Sequence, residues 1–189
     1  MIIIVGLGNP GEQYKNMRHN VGFMAIDAFA GKNNFPEFKL EKRSDSLISE
    51  KPFDSAQGDE NIVLVKPQTF MNESGKAVKE ILKNNPATNL IIIHDDVDLP
   101  VGKIKIVTER GSAGHKGVES VIQNIGNEGL IRFRIGVGSK KQTEAKKIVL
   151  KNFSKEEQKI IDETIQKAVG ALDTFVKKGL DKTMNEYNK

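Results

Sequence analysis

Short apolar runs and helix-spaced apolar stripes alternate along this chain, and the alternation predicts its architecture. Ile2 to Val5 is an unbroken apolar run, as in a buried strand, and it delivers the glycine-rich stretch Gly6-Leu-Gly-Asn-Pro-Gly11. Val21 to Ala30 repeats apolar residues at helical spacing and stops at Gly31. Residues 31–43 show no period and are expected to be irregular. Ser46 to Glu50 and Asn61 to Lys66 read as two strands of a hairpin. Between them Lys51 to Glu60 is rich in turn formers and is expected to be an exposed loop.

Further along, Asn72 to Leu82 puts Ala77, Val78, Ile81 and Leu82 on one helical face. Leu90 to Ile93 predicts another buried strand, closing on His94-Asp-Asp96. Between Lys103 and Val107, Ile104 and Ile106 alternate with lysines, giving a strand with one core face and one basic face. Gly111-Ser-Ala-Gly-His-Lys-Gly117 is a second glycine-rich loop, leading into a helix from about Val118. Arg132 to Gly138 alternates as a strand, and Ser154-Lys-Glu-Glu157 is a capping box. It opens a long helix with Ile161, Ile165, Ala168, Leu172 and Phe175 inward. The pattern predicts the α/β class: a single three-layer domain over 1–189, with a twisted mixed β-sheet flanked by helices. Ligands of such sheets sit where strands end, and both glycine-rich loops and His94–Asp96 occupy such places.

Composition narrows the function classes. The chain has 189 residues, 38% apolar and 29% charged, ordinary for a globular protein. No apolar run is long enough to span a bilayer, and Met1 to Val5 lacks the basic flank of a signal peptide. Cysteine is absent, which excludes disulfides, thiolate metal sites and a cysteine nucleophile, and fits a reducing cytoplasm. The net charge of +4 is compatible with a solvated lysine surface or with a polyanionic partner such as RNA. Clustering of the cations must decide between them.

Gly6-x-Gly8-x-x-Gly11 follows a strand and matches the dinucleotide-binding fingerprint. That fingerprint needs a helix opening within the motif, whereas the next helical pattern starts only near Val21. Its acidic partner about 20 positions on should end a second strand. Asp27 lies instead in a helical pattern, so a nicotinamide enzyme is disfavoured. The phosphate-loop motif and the Gly-x-Ser-x-Gly nucleophile elbow are both missing.

The chain has three histidines, and all three fall at loops or strand ends. His94 closes a buried strand and reads as structural. His94-Asp95-Asp96 does not make a metal site, because adjacent strand residues point to alternate faces. His19 stands among amide and hydroxyl groups, with Asn9, Tyr14, Asn16 and Asn20 nearby in sequence. A carboxylate such as Asp95, on another strand, could hold one ring nitrogen and leave the other to take a proton from water. Amides such as Asn9 and Asn72 can donate to a developing oxyanion or bind a peptide carbonyl. Spacing alone does not bring these loops together.

Five segments together resemble the bacterial peptidyl-tRNA hydrolase family. They are Val5-Gly-Leu-Gly-Asn-Pro-Gly11 with Tyr14 and Arg18-His-Asn20; Lys66 to Lys76; His94 to Pro100; Gly114-His115 with Gly117; and Arg132 to Gly138. The resemblance implies hydrolysis of the ester joining a peptide, or an N-blocked amino acid, to the 3′ ribose of tRNA, without metal or cofactor. It implies His19 as the base that activates water, Asp95 as its orienting carboxylate, and Asn9 as the contact to the peptide group. Asn72 and Phe70 would line the cleft, with Asn72 near the scissile carbonyl, and Tyr14 would touch the tRNA end. Lys105 and Arg134 resemble the family's clamp for the tRNA 5′-phosphate, a role suited to a point charge and a forked donor.

Peptidyl-tRNA is therefore the expected partner, with no membrane and no obligate protein partner. One departure stands out: after Gly114-His115 the family has a substrate-contacting Asn, and this chain has Lys116. Lys116→Asn is expected to weaken the salt dependence of substrate binding; an unchanged slope would count against a phosphate contact. The competing reading is a noncatalytic RNA-binding relative that kept the fold and lost turnover.

Overall fold

The computed structural model describes residues 1–55, 58–138 and 148–189. Among these residues seven strands form one mixed sheet. Strand β1 (Ile2–Gly6) lies inside it, parallel to β4 (Gly58–Pro67) on one side and to β5 (Asn89–Pro100) on the other. Strand β5 pairs in parallel with β7 (Leu130–Gly138). Antiparallel β3 (Ser46–Ser55) and β2 (Lys39–Glu41) finish one edge, and β6 (Ile104–Thr108), antiparallel to β7, forms the other.

The unbroken apolar runs of β1 and β5 follow from burial on both faces. Ile2 and Ile4 join a core with α1 (Val21–Lys32) and α4 (Lys155–Lys178). Ile3 and Val5, pointing the other way, join a second core with α2 (Ser74–Asn84) and α3 (Lys116–Ile125). The expected three layers are therefore present. The Ser154 capping box is formed, and Ile161, Ile165, Ala168, Leu172 and Phe175 are all buried.

Several boundaries differ from the sequence pattern. Helix α1 continues through Gly31 to Lys32, because Gly31 keeps a helical conformation and the Asn33 amide donates to the Phe29 carbonyl at 3.1 Å. The stretch expected to be irregular contains β2, which pairs with β3 from Lys39 opposite Ile48 to Glu41 opposite Ser46. The Lys51–Glu60 loop is not a loop. The β3–β4 ladder runs on through Pro52 opposite Asn61 to Ser55 opposite Gly58, so cross-strand pairing overrides local turn preference. Residues 56 and 57 lie outside the described residues. A final helix, α5 (Leu180–Tyr187), follows Gly179, whose φ of 80° ends α4. Its Leu180, Met184 and Tyr187 pack on the core. Just beyond it, Asn188 donates to the Ile106 carbonyl at 2.9 Å and accepts from the Ile106 N–H at 2.7 Å, both on β6.

Helices α2 and α3 approach closely at Gly75, whose N–H donates to the Ser120 hydroxyl at 3.0 Å. A Cβ there would lie 2.0 Å from the Ser120 carbonyl oxygen. Gly75→Ala is therefore expected to lower the unfolding free energy by roughly 1–3 kcal/mol, the cost of overpacking, in urea titrations. A change below a few tenths would mean that the two helices slide apart freely. None of the helices described is long and apolar enough to cross a membrane.

Candidate active site

The site begins with how tightly α1 meets the sheet. A Cβ on Gly22 would lie 2.5 Å from the Ile93 carbonyl and from the Leu7 backbone, so only glycine lets the first turn of α1 rest on the ends of β1 and β5. The short turn Arg18–Asn20 just before it is thereby held over β5. Asn20 locks this turn to the first glycine-rich loop: its oxygen accepts from the Asn9 N–H at 3.0 Å and its amide donates to the Asn9 carbonyl at 2.9 Å. The Asn9 side-chain oxygen accepts from the Met71 N–H at 2.9 Å. That fixes the Asn9 amide, with Nδ2 as its remaining donor.

Strand β5 does not stop at His94. Its pairing with β7 continues through Asp96, so His94, Asp95 and Asp96 lie on the sheet and not past its end. Asp95 is buried, and its Oδ1 accepts from His19 Nδ1 at 2.8 Å and from His115 Nε2 at 2.8 Å. Burial opposes charge on Asp95, yet the facing His115 and the hydrogen bonds from both rings outweigh it and hold the carboxyl far below the usual carboxylate range. Asp95 is thus an anion that only accepts, and each histidine gives it an N–H. In the neutral ring this bond puts the His19 proton on Nδ1 and leaves Nε2 as the accepting nitrogen.

The third histidine sits behind this group. His94 is buried, accepts from the Arg132 guanidinium at 3.3 Å, and meets the His115 ring edge-on at 4.8 Å. Arg132, fully buried, also donates to the Arg110 and Gly111 carbonyls at 2.9 Å each, and so ties the second glycine-rich loop to the sheet. Burial holds the His94 imidazole well below its usual value of 6.5, with His115 and Arg132 acting in the same direction and Asp95 against them. As pH falls through 6.5 the unfolded chain protonates His94 and the folded chain does not. This stability is therefore complete above about pH 7.5 and lost below, by up to ~1.4 kcal/mol per pH unit. His94→Gln, which keeps an acceptor for Arg132, should flatten the fall in unfolding free energy between pH 6.5 and 5. An equally steep fall in the variant would place the proton uptake elsewhere.

His19, Asp95 and His115 each offer one ligand atom within 4.8 Å of the others, the spacing of a cation site. The protonation pattern opposes that use. His115 Nδ1 accepts from the Val118 N–H at 3.2 Å, so its proton is on Nε2 and no lone pair is offered there.

A cleft of about 430 Å³ opens beside the histidines, lined by His19, Asp95, His115, Lys116, Val149 and Leu150 among others. Lys116, the first residue of α3, lines it but extends along the helix to Glu119 at 2.8 Å. Lys105 and Arg134 sit opposite each other across the β6–β7 ladder. Lys105 is exposed, while Arg134 is only partly exposed because its Nε donates to Asp96. Phe70 and Asn72 flank Met71, both exposed, and half-buried Tyr14 ends a short turn after the first glycine-rich loop. These three stand outside the cleft lining.

Two features escaped the sequence reading. One is the sharing of Asp95 between two histidines; that all three histidines fall in loop or strand-end segments was its only signal. The other is Arg18, buried next to His19. It donates to Glu157 at 2.6 Å, lies 4.8 Å from the Phe153 ring centre, and is bound through its backbone N–H to the Lys151 carbonyl. The first helix of the fingerprint reading is absent: two three-residue turns, Glu12–Tyr14 and Arg18–Asn20, follow Gly11, and α1 starts at Val21.

The family model for peptidyl-tRNA hydrolase matches residues 3–189. A peptidyl-tRNA hydrolase of Thermodesulfovibrio yellowstonii is 43% identical over the full length of both chains. One from Clostridium tetani is 40% identical over all of this chain and 97% of its own. The crystal structure of peptidyl-tRNA hydrolase from Acinetobacter baumannii superposes with a TM-score of 0.90 at 29% identity, covering 100% of this chain and 94% of that one. With its α/β architecture and its His19–Asp95 pair at the cleft, this chain belongs to the peptidyl-tRNA hydrolase family.

Proposed function

We propose that this chain, working as one catalytic domain, hydrolyses the ester between a peptide, or an N-blocked amino acid, and the 3′ ribose of tRNA. The observation that carries the reading is His19 Nδ1 at 2.8 Å from buried Asp95, which leaves Nε2 proton-free beside the cleft. His19 Nε2 takes a proton from water as the water oxygen bonds to the ester carbonyl carbon. Asp95 orients the ring and stabilises the imidazolium that forms. Collapse of the tetrahedral intermediate breaks the bond to the ribose oxygen, which receives the proton back from His19.

Asn9, with its Nδ2 free to donate, serves the peptide group, and Asn72 serves the scissile carbonyl. Phe70 and Tyr14 border the path of the peptide and the tRNA end. Lys105 and Arg134 take the 5′-phosphate, for which Arg134 must share itself with Asp96. Lys116 can leave Glu119 for a phosphate of the acceptor end. Peptidyl-tRNA arises where translation occurs, which places the enzyme in the cytoplasm.

The test is cleavage of N-acetyl-aminoacyl-tRNA set against unblocked aminoacyl-tRNA. Release from the blocked substrate alone is the expected result. A folded protein that binds tRNA and releases nothing would establish the noncatalytic RNA-binding reading instead.

A further inference from the structure

Building on the hydrolytic reading, we infer that His115 is a positioning residue: a donor fixed by its helix cap that shares one Asp95 oxygen with His19 and so weakens the hold of Asp95 on a proton at His19. Two hydrogen bonds of equal length, 2.8 Å, end on one carboxylate oxygen. The one from His115 draws charge from that oxygen, leaving less to stabilise a proton on His19.

His115 can play this part because its tautomer is set from outside. It is the N-cap of α3, and its Nδ1 accepts from the Val118 N–H at 3.2 Å. A second proton on the ring would point at that N–H and break the cap. The donor to Asp95 is thus set by the cap.

The remaining charged groups around the pair are already engaged. His94, from β5, accepts from Arg132. Asp96, also from β5, is bound by Arg134 of β7. Lys116 of α3 is paired with Glu119, and Arg18, beside His19, with Glu157 of α4. Among the described side chains, His19 and His115 are the two groups in hydrogen-bonding contact with the Asp95 carboxylate.

The test separates the cap from the donor. His115→Asn keeps an oxygen to cap Val118 but is too short to reach Asp95, whereas His115→Gln can place an amide donor near the old Nε2 position. Histidine titrations by ¹⁵N NMR are read in the folded proteins, with the pH profile of kcat/KM for N-acetyl-aminoacyl-tRNA alongside. In His115→Asn the His19 midpoint, and with it the acidic limb of the rate, is expected to move up by about one pH unit. In His115→Gln both stay within a few tenths of the wild type. A His19 midpoint unmoved in His115→Asn overturns the inference, whatever happens to the rate. A midpoint that moves in a protein whose wild type cleaves nothing would uphold the inference and refute the hydrolytic reading.

Discussion

His19→Ala is expected to lower kcat and kcat/KM together by about 10²–10⁴-fold, the contribution of a positioned general base, with little change in unfolding free energy. The parallel loss is expected because His19 acts on the proton of the attacking water, an interaction present only in the transition state. Binding by the basic residues of β6, β7 and α3 is untouched. The fold is spared because the links through Asn20, Asn9 and Met71 hold the turn independently of the imidazole. Asp95→Asn should approach the same loss, since a neutral amide can keep its oxygen for the two N–H donors but supplies no negative charge to stabilise the imidazolium. A His19→Ala enzyme with more than a tenth of wild-type kcat would remove His19 from the role of base.

Glu157→Ala is expected to lower the unfolding free energy by roughly 3–5 kcal/mol at pH 7, the cost of leaving a buried charge without its partner. The Arg18 side chain is 9% exposed and its ion pair with Glu157 spans 2.6 Å. Its other polar contact is a 3.5 Å bond to the Val137 carbonyl, and its Nε has no partner among the described residues. The same carboxylate accepts from the Ser154 N–H at 2.8 Å, so the α4 capping box is lost as well. Burial pushes the Glu157 carboxyl up, but Arg18 and Ser154 outweigh it and hold it below the usual 4.5. A depressed carboxyl stabilises the fold above the unfolded value and loses that contribution as pH falls. The gap between wild type and variant should therefore narrow below about pH 4. Urea titrations at pH 7 and pH 3.5 measure both effects, and a deficit under 1 kcal/mol at pH 7 would show that water replaces the partner.

Much of this architecture could be read from apolar spacing because β1 and β5 are buried on both faces and α4 on one. Periodicity says little about pairing, which is why Lys51–Glu60 misled: turn-forming residues there are held in a ladder by their opposite strand. The His19–Asp95 pair was legible as two loop-and-strand-end groups of complementary chemistry. His115 was visible only as a histidine in a glycine-rich loop, since its bond to Asp95 depends on where α3 begins. Arg132 and Arg134 look alike in sequence, two residues apart on one strand. The carbonyls of residues 110 and 111 close over the first and bury it, while the second keeps a partly exposed place beside Asp96.

Asn188 carries a consequence for how these molecules meet one another. An edge strand with unpaired backbone groups is a template on which a foreign strand can grow, the first step toward aggregation. At Ile106 the Asn188 amide supplies the acceptor and the donor that a neighbouring strand would offer, so the β6 edge is stoppered at its middle by one side chain. The opposite edge, β2, is three residues long, with Lys39 and Glu41 on either side of Leu40. On the β6 side that protection rests on a side-chain amide outside the sheet.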